Sequence, residues 1–185
     1  MGKKITVQVA QELISHEAIV REAYRDSVNV WTWSVGITNS SGHRVYKRYL
    51  DNPQPLKKCL EIFLWVLQKK YRPGVIEVFD GHRLTDAQFA AALSFHYNTG
   101  GIRRASWAKL WKSGQVARAR QAFMNWSSPP EIIPRRKKER NLFFDGTWTS
   151  GGTATEFPVR KPSYYPNFSK GKRVKIKPVL EEILG

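Results

Sequence analysis

The stretch HEAIVREAYRDSVNVWTWSVGI, residues 16–37, passes from the end of a helical pattern into strand-forming sequence and carries two carboxylates and a hydroxyl on the way. Upstream of it, Val7, Val9, Ala10, Leu13 and Ile14 recur at helical spacing and predict a helix from Thr6 to about Glu17. Beyond Arg21–Asp26, a run rich in Val, Trp and Thr is broken by Gly36, Asn39 and Gly42, which predicts short strands joined by turns, a hairpin after the first helix. Glu17 then lies near the last helical turn, Asp26 at the mouth of the hairpin and Thr32 inside it.

Working outward, 185 residues with 41% apolar side chains suit one domain with a real hydrophobic core. Cys59 is the sole cysteine, so no internal disulfide can form, and His16, His43, His82 and His96 show no metal-ligand spacing with it. Neither a metal nor a cofactor is expected. The longest apolar run, Ile62 to Leu67, is far short of the roughly 20 residues that span a bilayer, and the N-terminal region has no continuous apolar segment of the signal-peptide kind. The expectation is a monomer made in a cytoplasm, without stable membrane insertion. A net charge of +16 draws such a surface to polyanions, whether nucleic acid, anionic lipid or acidic envelope polymers, and does not choose among them.

The rest of the chain reads as mostly helical. Leu56 to Tyr71 runs without Gly or Pro, with Leu60, Phe63, Leu64 and Leu67 on one stripe, and predicts a connecting helix (56–72) ended by Pro73-Gly74. In LTDAQFAAALSFHYNTGG, Thr85 is the expected N-cap, Gly100-Gly101 the stop, and Phe89, Ala92, Leu93 and Tyr97 a buried stripe. Ser106 to Ser113, Gln115 to Asn125 and Pro134 to Phe144 predict three further helices. Beyond Gly146, a Gly-, Pro- and Lys-rich tail predicts a loosely structured basic extension with a short strand near Val174 to Ile176 and a terminal helical turn.

Two carboxyl groups held across a cleft in unequal surroundings suit glycosidic bond cleavage: one protonated to donate to the leaving oxygen, the other ionised to activate water, with Thr32 helping to hold that water. The same residues also suit purely structural positions, Asp26 as an Asx-turn residue, Glu17 as a solvated acid and Thr32 as a strand former. Spacing alone leaves both open. What separates them is a set of three blocks in order: Glu17, eight residues, Asp26, five residues, Thr32; then Leu84 to Gly101; then NW followed by IPRRKKERNLFFDG, ending at Gly146. Together they resemble the phage-type lysozymes, endolysins of glycoside hydrolase family 24.

That resemblance implies an α+β, mainly helical, lysozyme-like fold: a β-hairpin lobe (1–55), a connecting helix (56–72) and a helical lobe (73–148) with a saccharide groove between lobes, followed by the extension 149–185. By matching position, Glu17 is the general acid, Asp26 orients or activates water and Thr32 assists. The implied reaction is hydrolysis of the β-1,4 bond between N-acetylmuramic acid and N-acetylglucosamine in peptidoglycan glycan strands, with inversion. Tyr97 and Asn98 match groove positions, although core packing and helix capping account for them equally, and Arg136 matches an arginine that reaches the acid. Release through a holin-type pore follows from the same likeness. RRKKER, Arg135 to Arg140, looks by itself like a nucleic-acid patch, but no nucleic-acid motif accompanies it and the family uses this helix structurally, so nucleic acid is not expected as the main partner.

Departures from the family pattern fall in the hairpin. Ser34 stands where a Gly is usual, Ile37 where a His is usual, Ala18 follows the acid in place of Gly, and Asn29 precedes the Thr where Gly is common. Two rival readings remain: a lytic transglycosylase of the same fold, which needs no water-positioning pair, and a wall-binding module without catalysis.

Overall fold

Thr6 opens the first helix, α1 (Val7–Ser15), its hydroxyl accepting the Val9 N–H at 3.2 Å, and Val9, Ala10, Leu13 and Ile14 form the buried face. The helix closes two residues earlier than its apolar spacing predicts, because the His16 N–H turns back onto the Leu13 and Ile14 carbonyls. The computed structural model describes residues 2–185, which form two compact units. One holds Thr6–Lys70 with Ser150–Gly185; the other holds Tyr71–Thr149 with the residues up to Ile5. The architecture is α+β and mainly helical, as the sequence predicts.

In the first unit, β1 (Val20–Arg25), β2 (Trp31–Ser34) and β3 (Ile37–Thr38) make an antiparallel meander in the order β1-β2-β3, one strand more than the expected hairpin. Its tight connections need left-handed backbone at Asn29 (φ 64°), Ser34 (φ 61°) and Gly36 (φ 71°). Ser34 stands here without the freedom of glycine. Its side chain is fully buried and donates to the Cys59 carbonyl at 2.8 Å, which offsets the strain. Ile37, in place of the usual His, is fully buried opposite Trp33.

The helix predicted to stop at Pro73-Gly74 continues instead: α2 (Leu56–Val66) passes through a π turn (Leu67–Tyr71) into α3 (Arg72–Val78). Pro73 falls in the first turn of α3, where the widened π turn has already interrupted the regular ladder, so its missing N–H breaks nothing. Gly74 is there for space, since a Cβ would come within 2.8 Å of the His96 ring. Cys59 on α2 is buried and its thiol is pushed up to about 12 by burial, so it stays a protonated packing group.

The tail expected to be loosely structured is ordered. β4 (Thr153–Glu156) and β5 (Lys172–Lys175) pair antiparallel, and the last helix α8 (Lys177–Leu184) packs on α1 and α2 with Leu180 buried. Its own sequence buries little; the contacts that order it lie more than a hundred residues away, where local composition cannot register them.

The second unit holds α3 and four more helices. In α4 (Asp86–Thr99), a reciprocal capping box between Thr85 and Gln88 sets the start and Gly100 (φ 64°) the end, both where the sequence puts them. Helices α5 (Ser106–Lys112), α6 (Val116–Phe123) and α7 (Ile133–Asp145) follow. Phe95, Trp107, Phe123 and Phe143 close an aromatic core, with Trp107 4.6 Å from Phe123 and 5.0 Å from Phe143. Two cations of RRKKER turn inward rather than out to solvent. Arg135 donates to Glu139 at 2.9 Å; Arg136, 1% exposed, is paired with the same carboxylate, which is itself fully buried and also accepts from the Ser94 hydroxyl at 2.6 Å.

Two outcomes follow from these contacts. Glu139→Ala leaves the Arg136 guanidinium buried without its counter-charge and lowers unfolding free energy by about 3–5 kcal/mol in chemical denaturation. Ser34→Ala keeps the strain and loses the hydrogen bond, costing about 1–2 kcal/mol, whereas Ser34→Gly loses both and stays within about 1 kcal/mol of the parent chain.

Candidate active site

Strand periodicity assembles the site. Side chains two apart on a strand share a face, so Tyr24 and, just past the end of β1, Asp26 point the same way, while the register sets Thr32 directly opposite Tyr24. Asp26 begins the turn: its N–H donates to the Val30 carbonyl at 3.0 Å, and its Oδ1 accepts the Val28 and Val30 N–H groups at 3.0 and 2.8 Å. The Asx-turn role is therefore real, and it fixes the carboxylate's orientation. Thr32, 3% exposed, donates its hydroxyl to the Val30 carbonyl at 3.0 Å, which leaves the oxygen's lone pairs as acceptors. Glu17 sits on the bend between α1 and β1, half-buried, its N–H donating to the Ile14 carbonyl at 3.0 Å.

The group that ties these together is one the sequence reading missed. The buried Tyr24 phenol has its pKa raised above the usual tyrosine value, by burial first and then by the charges of Glu17 and Asp26. The phenol feels the charge of both carboxylates, and its raised pKa keeps it a neutral hydrogen-bond donor. The signal was present: Tyr24 is two residues before Asp26, on the face that carries the site.

The other three candidates lie in the helical unit. Tyr97 is 8% exposed and meets Tyr71 edge-on at 4.9 Å, and Asn98, next on the helix, is exposed. Arg136 donates through Nε to the Trp126 carbonyl at 2.9 Å and through Nη2 to Asn98 Oδ1, with its guanidinium 4.9 Å from the Phe95 ring centre. Asn98 and Arg136 line an open cleft of about 370 Å³ with Thr99, Asn125, Trp126 and Ser128; Tyr97 does not line it. Amides, hydroxyls and an indole are the groups that meet a sugar's hydroxyls and apolar faces. Of these, Asn125 and Trp126 went unassigned as binding residues, though NW marked the place. Among the described residues no group of three His, Cys, Asp or Glu is arranged to hold a metal ion, and no helix is long and apolar enough to cross a membrane.

The family profile described as phage lysozyme matches residues 14–139, more than half of the chain and all of Glu17, Asp26, Thr32, Tyr97, Asn98 and Arg136. The chain belongs to the phage lysozyme family. As a member it is a lysozyme, a glycoside hydrolase that lyses peptidoglycan. Solved structures share the fold: an endolysin from Escherichia coli O157:H7 phage FAHEc1 (TM-score 0.70, 17% identity, covering 80% of this chain and 98% of that one) and the muramidase domain of SpmX from Asticaccaulis excentricus (0.63, 22%, covering 76% and 97%). The active form of P1 phage endolysin Lyz is a third (0.62, 20%, covering 78% and 87%). Among curated protein sequences none matches this lysozyme significantly.

The raised Tyr24 pKa gives a direct check. Negative neighbours disfavour the phenolate, so Glu17→Gln lowers the pH at which Tyr24 ionises, while burial keeps it above the usual value of 10.0. Tyrosine-selective NMR across an alkaline titration reads the change; an unmoved Tyr24 resonance would separate Glu17 from this cluster.

Proposed function

We propose that this lysozyme is an endolysin that hydrolyses the β-1,4 bond between N-acetylmuramic acid and N-acetylglucosamine with inversion at the anomeric carbon. The observation that carries the reading is the strand register that sets Thr32 opposite Tyr24, on the face that Asp26 shares, with the Tyr24 phenol under the charges of both Glu17 and Asp26. Glu17 in its protonated form gives its proton to the glycosidic oxygen as the bond to the anomeric carbon breaks. A water attacks that carbon from the opposite face and passes its proton to Asp26. The Val28 and Val30 N–H groups on Asp26 Oδ1 hold the carboxylate in place for this, and Thr32, its hydroxyl hydrogen already committed to Val30, accepts a hydrogen from the same water.

From the helical unit we assign Asn98, Arg136 and Tyr97 to saccharide binding. Arg136 holds the Asn98 carboxamide by its oxygen, which turns the amide N–H₂ toward the cleft, and Tyr97 backs the helix from the core. The net charge of +16 supports attraction to anionic envelope polymers. The enzyme works as a monomer without a cofactor, with 1–148 as the catalytic body and 149–185 as its extension, and reaches peptidoglycan through a holin-type pore.

Mass spectrometry of peptidoglycan digested by the wild type and by Glu17→Gln tests the reaction. Expected are reducing N-acetylmuramic ends from the wild type and a loss of about 100-fold or more in Glu17→Gln with wall binding retained. Ends of the 1,6-anhydro type would replace hydrolysis by transglycosylation and remove the role of Asp26; absence of fragments from both proteins would leave a binding module.

A further inference from the structure

Strand β1 spans the interval between the two carboxylates, and in the order β1-β2-β3 its outer edge has no strand of the meander beside it. The backbone groups on that edge belong to residues 19, 21, 23 and 25. The middle two are met locally, the Arg21 carbonyl accepting from the Gln54 N–H and the Ala23 N–H donating to the Tyr49 carbonyl, each at 2.8 Å. The outer two are met by the C-terminal segment, which lies beyond the residues the family profile covers. Ile19 donates to the Thr155 carbonyl at 3.1 Å and accepts the Phe157 N–H at 2.9 Å, and Arg25 donates to the Tyr164 carbonyl at 2.7 Å. Ile19 is two residues after Glu17; Arg25 directly precedes Asp26.

We infer that residues 150–176 are a positioning brace for the catalytic strand, fixing the backbone beside each of the two carboxylates. This rests on the assignment of Glu17 and Asp26 made above. The brace is built to be stiff. Its tip is closed by Tyr164 N–H to the Arg160 carbonyl at 2.7 Å and Arg160 N–H to the Tyr165 carbonyl at 2.8 Å, with Tyr164 in left-handed backbone (φ 63°). Side chains fasten that tip: the Tyr164 hydroxyl donates to Asp51 at 2.9 Å, Lys161 pairs with Asp51 and with Glu22, and the Tyr164 ring meets Trp31 edge-on at 5.5 Å. At its start, the Ser150 N–H donates to the fully buried Glu12 at 3.1 Å. Several of the segment's cations are thus engaged within the unit; Arg173 likewise bonds Thr153 and Thr155.

The test is the double variant Lys161→Ala/Tyr164→Gly, which releases the tip and leaves β4, β5 and α8 in place. Lys170→Ala, an exposed cation outside these contacts, is the charge control. Soluble glycan oligomers cut from peptidoglycan serve as substrate, sedimentation with intact walls reads binding, and amide exchange at Arg25 reads the brace itself. Expected in the double variant are faster Arg25 exchange, a kcat lower by about tenfold or more with KM within about twofold, and unchanged wall binding, with Lys170→Ala matching the wild type. A double variant with wild-type kcat overturns the brace, whether or not its wall binding falls. A kcat loss shared equally by Lys170→Ala overturns it too, since charge would then be the cause. A wild type inactive on these oligomers removes the underlying catalytic assignment instead, and with it the brace.

Discussion

A β-strand presents hydrogen-bonding groups on both edges, and β1 must satisfy both while holding an acid at each end. Its inner edge is met by β2, whose register also places Thr32 opposite Tyr24. Its outer edge is met by two segments that come from different parts of the chain. Unmade bonds of this kind are costly wherever backbone is withdrawn from water. The sheet is too small to do this by itself, so the 49–54 loop and the C-terminal segment are as much part of the surroundings of β1 as β2 is.

The core of the same unit follows from that arrangement. Trp33, fully buried on β2, stacks on Tyr49 with ring centres 3.7 Å apart and donates its indole N–H to the Arg21 carbonyl at 2.9 Å. The loop that serves the outer edge of β1 is therefore pinned by a side chain of the neighbouring strand. His43 extends the group, its Nε2 within 2.7 Å of the Tyr49 hydroxyl, and burial lowers its pKa so that the neutral ring is favoured. With Ile37 packed opposite Trp33, an aromatic and apolar cluster occupies the place where the family pattern has a polar His.

The helical unit solves a different problem with charge. Glu139 is wholly buried, and it is tolerated because Arg135, Arg136 and Ser94 all direct donors at it. The same network reaches the surface at Asn98 through Arg136. A basic run that reads as a surface patch in one dimension becomes, once α7 is packed on α4, the means of orienting one exposed amide beside a cleft.

Local sequence was enough for α4, whose capping box and terminal glycine act within a few residues, and for the Val-, Trp- and Thr-rich run after Asp26 that holds β2 and β3; it did not mark β1, whose VREAYR has one β-branched and one aromatic residue and is a strand because β2 pairs with it. It also carried the Glu17, Asp26 and Thr32 spacing. Tertiary structure decided the rest. Pro73 and Gly74 read as a stop, but a π turn before them and the His96 ring beside them make them part of a continuing helix. Tyr24 became part of the site through cross-strand register, which no single strand encodes. The basic tail became ordered because its partners, Ile19, Arg25, Glu12 and Asp51, are brought to it only when the chain has folded. Helix caps and periodicity act over a turn or two and so are written locally; hydrogen bonds across a strand edge join residues more than a hundred positions apart, and only the folded chain chooses them.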